Sequence, residues 1–96
     1  MKIASIAFTE NGAKIVKMLA HEMDVKGYVF EKYKTDGLET FNNVSSLVRD
    51  IFKKYNAIVF VGACGIAVRS IAPYVKDKAK DPAVVVVDEK LSLIHI

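Results

Sequence analysis

The sequence predicts an α/β domain in which a parallel sheet is sandwiched between helices. Three observations carry that reading. Short, nearly all-apolar runs occur at Lys2–Phe8, Ala57–Val61 and Ala83–Val87; they are rich in β-branched residues, as strands buried on both faces are. Between the first and second of these runs, apolar residues recur at helical spacing. The stretch from Ala57 to Val75 joins the two patterns. Its strand run stops at Gly62-Ala63-Cys64-Gly65, and Ile66, Ala67, Ile71, Ala72 and Val75 then follow at helical spacing. Such a strand–glycine turn–helix unit sets backbone N–H groups and a helix N-terminus at the carboxyl edge of an open sheet, where anionic ligands bind.

The elements follow in order. Lys2–Phe8 is a first strand. Thr9 is suited to N-cap the next helix, since its hydroxyl can accept from an N–H of the first turn, and Glu10 suits the positive end of the helix dipole. That helix runs to about Met23, with a buried stripe of Val16, Leu19, Ala20 and Met23 flanked by Ile15 and Met18. Gly27–Phe30 is a second, less apolar strand near an edge. Glu31–Thr40 is polar, with a turn at Lys34–Gly37, and reads as a surface loop. Phe41 is placed to staple the second helix to the core, with Asn42 or Asn43 as N-cap. Val44, Leu47, Val48, Ile51 and Phe52 give the clearest amphipathic pattern of the chain. The central strand, the glycine turn and a third helix to about Val75 come next. Lys76–Pro82 is a charged turn, and Ala83–Val87 is a fourth strand ending at Asp88.

Alternation of strand and helix implies right-handed crossovers and helices on both faces. The expected architecture is a three-layer, flavodoxin-like sheet of strand order 2-1-3-4. Its order reverses between the first and third strands, where ligands lie in such folds. That point would bring Thr9–Gly12 beside Gly62–Gly65, with Asp88 one strand further on. The fold reads as incomplete at its C-terminal end. A four-valine strand would form the sheet edge, no fourth helix follows, and Leu91–Ile96 has no domain-closing pattern. The expected division is a domain over 1–90 and a tail over 91–96, and the open edge would favour self-association.

Ninety-six residues, 52% of them hydrophobic, make one small domain with a real core. No apolar run approaches the roughly 20 residues needed to cross a bilayer, and the N-terminus lacks a signal-peptide layout. A single cysteine forms no internal disulfide and suits the reducing cytoplasm. The net charge of +3 is mild; it serves solubility and would accommodate a poly-carboxylate ligand. The lysines are scattered without interleaved aromatics, which argues against nucleic acid.

Each candidate site residue has a plain alternative. Gly62 and Gly65 let the strand turn into the helix, or bare the backbone to an anionic group. Arg69, one turn into the helix, is a solvated cation or a fork for a carboxylate. Thr9 is a cap or a catalytic group, and Asp88 a general base or a partner for a lysine. Cys64 stands near a helix N-terminus, where thiol pKa falls. A cysteine hydrolase also needs a base, however, and His21 faces outward while His95 lies in the tail, so Cys64 reads as a small buried loop residue. No metal-ligand spacing links Cys64, His21 and His95. The absence of G-x-G-x-x-G and of G-x-x-x-x-G-K-[ST] disfavours a nucleotide- or flavin-binding module; that module and a non-catalytic interaction domain are the rival readings.

At Gly62-Ala63-Cys64-Gly65-Ile66-Ala67-Val68-Arg69, joined to Asp81-Pro82-Ala83-Val84-Val85-Val86-Val87-Asp88, the chain resembles the N-terminal domain of the CbiG family of anaerobic cobalamin (vitamin B12) biosynthesis. The opening Ile6-Ala7-Phe8-Thr9-Glu10-Asn11-Gly12 is also similar, so the resemblance covers Met1 to about Lys90. It implies a cobalt-precorrin 5A hydrolase, which opens a δ-lactone on the macrocycle and releases acetaldehyde to give cobalt-precorrin 5B. It implies no cofactor and no protein metal site, because the cobalt arrives inside the tetrapyrrole substrate. Thr9, Gly12, Gly62, Ala63, Gly65 and Arg69 are the implied substrate-binding positions, with Asp88 and Thr9 the candidates for catalysis. Full-length members continue into a serine-, glycine- and histidine-rich loop, a helix and a second domain. Turnover would therefore need that remainder as a partner.

Overall fold

The computed structural model of the chain describes residues 1–62, 64–75, 81–88 and 93–95. Its sheet comprises β1 (Ile3–Ala7), β2 (Val25–Phe30), β3 (Glu39–Phe41), β4 (Ala57–Val61), β5 (Ala83–Val87) and β6 (Leu93–His95). Their spatial order is β3-β2-β1-β4-β5-β6. The first five are parallel, and β6 runs antiparallel to β5. The helices are α1 (Glu10–Glu22), α2 (Val44–Ile51) and α3 (Cys64–Ile71).

The expected α/β class and the sequence of its four long strands hold, with the reversal between β1 and β4. The strand period of two sends alternate residues of each strand to opposite faces. Ala4, Ile6, Tyr28, Ile58, Phe60, Val84 and Val86 meet Val48, Ile51 and Phe52 around α2 and Ala67 and Ile71 of α3 in the larger core. Ala7, Val29 and Val61 meet Ala13 and Val16 of α1 in the smaller one. The three layers follow from that alternation. At the margin of the larger core the Tyr28 and Tyr55 hydroxyls lie 2.9 Å apart. Burial first, and then that hydrogen bond, hold the Tyr28 phenol well above its ordinary range.

Both expected helix starts are present. The Thr9 hydroxyl accepts from the Gly12 N–H at 3.0 Å, and Asn43 Oδ1 accepts from the Ser46 N–H at 3.1 Å, each occupying an otherwise orphaned donor.

The departures are local. Glu31–Thr40 is not wholly loop: Glu31–Tyr33 is a 3₁₀ turn, and Glu39 and Thr40 open β3. Edge strands tolerate polar residues on an exposed face, so the composition concealed this one. Phe41 lies inside β3, where it meets Phe8 edge-on at 5.7 Å and Phe30 at 6.0 Å, in the same core as Val48 and Ile51 of α2. In α1, Met18 is 48% exposed and Met23 just beyond its end is 54% exposed: the buried stripe of the helix is narrower than the spacing suggests. The helix of α3 stops at Ile71 and continues as a 3₁₀ turn over Ala72–Tyr74, where Pro73 cannot donate to the helical ladder. β5 is not the sheet edge: Val85, Val86 and Val87 pair with His95, Ile94 and Leu93. The unpaired edge that would favour self-association is thus covered over three residues. The charged turn at 76–80 lies outside the described residues.

Candidate functional site

The site is built where β1 and β4 lie side by side and their chains leave in opposite directions. Ala7 pairs with Val61 at the carboxyl edge. From Ala7 the chain passes through Phe8 and Thr9 into α1; from Val61 it passes through Gly62 into α3. The two turns touch. A β-carbon placed on Gly12 would stand 3.1 Å from Thr9 Oγ1, 3.2 Å from Ala7 Cβ and 3.5 Å from the Val61 carbonyl oxygen. Gly12 is therefore glycine because α1 enters closely packed against the ends of both strands.

Gly62 is glycine for a different reason. Its φ of 79° lies in the left-handed region, which costs a residue with a β-carbon about 1–2 kcal/mol. Its N–H donates to the Val87 carbonyl at 2.7 Å. That bond fixes the turn against the end of β5 and brings the half-buried Asp88 to the same edge.

Neither reason applies to Gly65. It lies in the first turn of α3 and is exposed, and among the described residues a β-carbon there would meet only Nη1 of Arg69, at 3.4 Å. Arg69 thus folds back over the N-terminal turn of its own helix. Among the described residues it forms no ion pair. Its guanidinium and the positive end of the α3 dipole lie together over a bare backbone, an arrangement able to receive a carboxylate or a polarised carbonyl oxygen.

The structure therefore brings Thr9, Gly12, Gly62, Gly65, Arg69 and Asp88 to one edge of the sheet. Ala63 lies outside the described residues, as does the side chain of Cys64, whose backbone begins α3 rather than a loop. His21 is exposed near the far end of α1. The Thr9 hydroxyl accepts from the Gly12 N–H as the cap of α1.

Sequence reasoning missed Phe8. It is half-buried at the carboxyl end of β1, its ring parallel to that of Phe60 at 6.3 Å and edge-on to Phe41. It carries an aromatic surface to the rim of the switch point on the α2/α3 side. Its signal was the place of an aromatic residue at the last position before the Thr9 cap.

Comparison with known proteins bears on this edge directly. The model of the cobalamin synthesis G N-terminal family (CbiG_N) matches residues 46–95, which include β4, the glycine turn, α3 and β5. The chain is 40% identical to a cobalt-precorrin-5A hydrolase of Salmonella typhimurium, covering 92% of this chain and 25% of the relative. It is 33% identical to the enzyme of the same name from Priestia megaterium, covering 91% of this chain and again 25% of the relative. The chain thus spans about a quarter of the length of these relatives. A crystal structure of a cobalamin biosynthesis protein G homologue from Sulfolobus solfataricus superposes with a TM-score of 0.69 at 30% identity, over 99% of this chain and 28% of that one. With more than half of its residues matched by that family model, and the same fold in a homologue of the same name, the chain belongs to the cobalamin synthesis G N-terminal family.

Proposed function

We propose that this chain is the N-terminal part of a cobalt-precorrin 5A hydrolase, and that the edge between β1 and β4 holds the lactone-bearing side of the tetrapyrrole. The observation that carries the reading is Gly65 under Arg69: a glycine whose β-carbon would meet only Arg69 among the described residues, covered by an arginine without a carboxylate partner among those same residues. The names of the relatives supply the reaction class. Water adds to the lactone carbonyl, and the ring C–O bond breaks as the alkoxide leaves. The carboxylate remains on the macrocycle; the freed alkoxide collapses to a carbonyl, breaking the C–C bond that held the two-carbon unit, so that acetaldehyde departs while the electron pair passes into the conjugated ring system and is protonated there. N–H groups of the α3 first turn and the Arg69 guanidinium are suited to the oxyanion formed on the way. In this scheme Asp88 orients or deprotonates the water. No protein-held cofactor enters this scheme, because the cobalt belongs to the substrate.

The reaction belongs to the cytoplasm and to the longer protein, whose remaining part closes the site; the chain alone binds without turning over. Arg69→Lys in the full-length protein tests the reading through acetaldehyde release. Loss of the bidentate fork with retention of charge raises KM about tenfold, the worth of one charge-assisted contact. An unchanged KM and kcat would remove Arg69 from the site.

A further inference from the structure

A second feature of the same sheet edge lies on the opposite face, against α1. A groove of about 590 Å³ opens there, lined on one side by Glu10, Ala13, Lys14 and Lys17 of α1, and on the other by the segment from Lys32 to Thr35 that follows β2. That volume falls in the range of small-molecule sites. We propose that this groove is a recognition site for the peripheral carboxylates of a poly-carboxylate ligand, with Lys14, Lys17, Lys32 and Lys34 as its cationic contacts. The inference rests on the tetrapyrrole reading above only for the identity of that ligand.

The walls are held in place. Lys14 and Lys17 share one face of α1 with Glu10, at intervals of four and three residues. The opposite wall is pinned by the Thr35 hydroxyl donating to the Tyr33 carbonyl at 2.9 Å and by the Lys34 N–H donating to the Glu31 carbonyl at 3.3 Å. The half-buried Tyr33 packs against the smaller core, and Lys32 Nζ lies 5.6 Å from its ring centre. Four lysines against a single glutamate face the groove, an excess equal to the +3 of the whole chain. Among the described residues, ion pairs form at Lys26–Glu39 and Arg49–Asp50, and at none of the four groove lysines. Ammonium groups are separate point charges without a fork. Spread around a groove of this size, they match several carboxylate arms on one scaffold better than one compact, highly charged anion.

The test is direct titration of the 96-residue chain at low and moderate salt with four probes: a metal-free porphyrin bearing eight carboxylates, a porphyrin bearing two, benzene hexacarboxylate, and inorganic tripolyphosphate. Lys32→Glu with Lys34→Glu reverses one wall, and Lys53→Glu with Lys54→Glu is the control at exposed positions after α2. Thermal melts establish that both variants are folded. The expected result is binding of the octacarboxylate that weakens roughly tenfold in the groove variant, as loss of about two screened ion pairs would produce. The control should be unchanged and the dicarboxylate should bind less tightly. Equal binding by the groove and control variants overturns the groove while leaving the β1–β4 site standing. Groove-dependent binding of benzene hexacarboxylate without either porphyrin upholds the groove and overturns the tetrapyrrole reading. Preference for tripolyphosphate, or no binding of any probe, overturns the assignment.

Discussion

The two glycine turns that meet at the switch point use the same residue for opposite ends. The first, Thr9–Gly12, is close-packed: its hydroxyl caps its own backbone, and a β-carbon at Gly12 would crowd Thr9 Oγ1 and Ala7 Cβ and touch the Val61 carbonyl. The second, beginning at Gly62, is fastened by backbone conformation and a hydrogen bond to Val87, and at Gly65 a β-carbon would meet, among the described residues, only Arg69 laid across it. A tight turn fixes where α1 starts; the second turn sets the first-turn N–H groups of α3, which lack intrahelical partners, beneath Arg69. The glycine letter alone does not say which kind a turn is, but the surroundings of its missing β-carbon do.

Substitutions at the three glycines should separate these cases. Gly12→Val should have the largest effect, destabilising by about 3 kcal/mol, because the side chain must displace the buried Ala7 and the end of β4. A denaturant midpoint close to wild type would mean that α1 can tilt away and that the first turn is not close-packed. Gly62→Ala should cost about 1–2 kcal/mol through its left-handed backbone, read from the same transition with an unchanged m-value. A smaller loss would show that the turn can flip while keeping its bond to Val87. Gly65→Val should leave stability within about 0.5 kcal/mol, since among the described residues only the Arg69 guanidinium stands nearby and can move. In the full-length protein its substrate affinity should nevertheless fall. A Gly65 variant as unstable as the Gly12 variant would erase the contrast and return Gly65 to a structural role.

Much of this was legible in the sequence, and the rest resisted for identifiable reasons. The apolar runs of β1, β4 and β5 declare themselves because strands buried in a parallel sheet have little choice of composition. With the caps at Thr9 and Asn43 they fix the switch point, and hence the meeting of Thr9, Gly12, Gly62 and Asp88. β3 was hidden because Glu39 and Thr40 are exposed on an edge and only Phe41 is buried. β6 was hidden because a three-residue antiparallel pairing depends on the partner strand more than on its own pattern. Spacing placed Arg69 one turn into α3 but could not choose between solvent and the N-terminal turn, since that choice belongs to side-chain rotamers. The groove lysines escaped notice because Lys14 and Lys17 are separated in sequence from Lys32 and Lys34 and converge only once β2 lies beside β1.

The pairing of β1 with β4 also makes the site a sensor of the whole fold. Its halves come from segments some fifty residues apart, held in register from Ile3 and Ala57 to Ala7 and Val61. The same register is anchored at its start by Asn56, whose N–H donates to the Lys2 carbonyl at 2.7 Å while its side chain accepts from the Lys2 N–H at 2.8 Å. Closing so long a loop is the entropically costly step of folding, and no fragment short of it possesses the binding edge. A ligand seated there therefore binds the native state alone. By mass action it adds about 2.7 kcal/mol of global stability at a hundredfold excess over its Kd. Occupancy of this small edge would then be readable in the slowest-exchanging amides of the central strands, far from any atom the ligand touches.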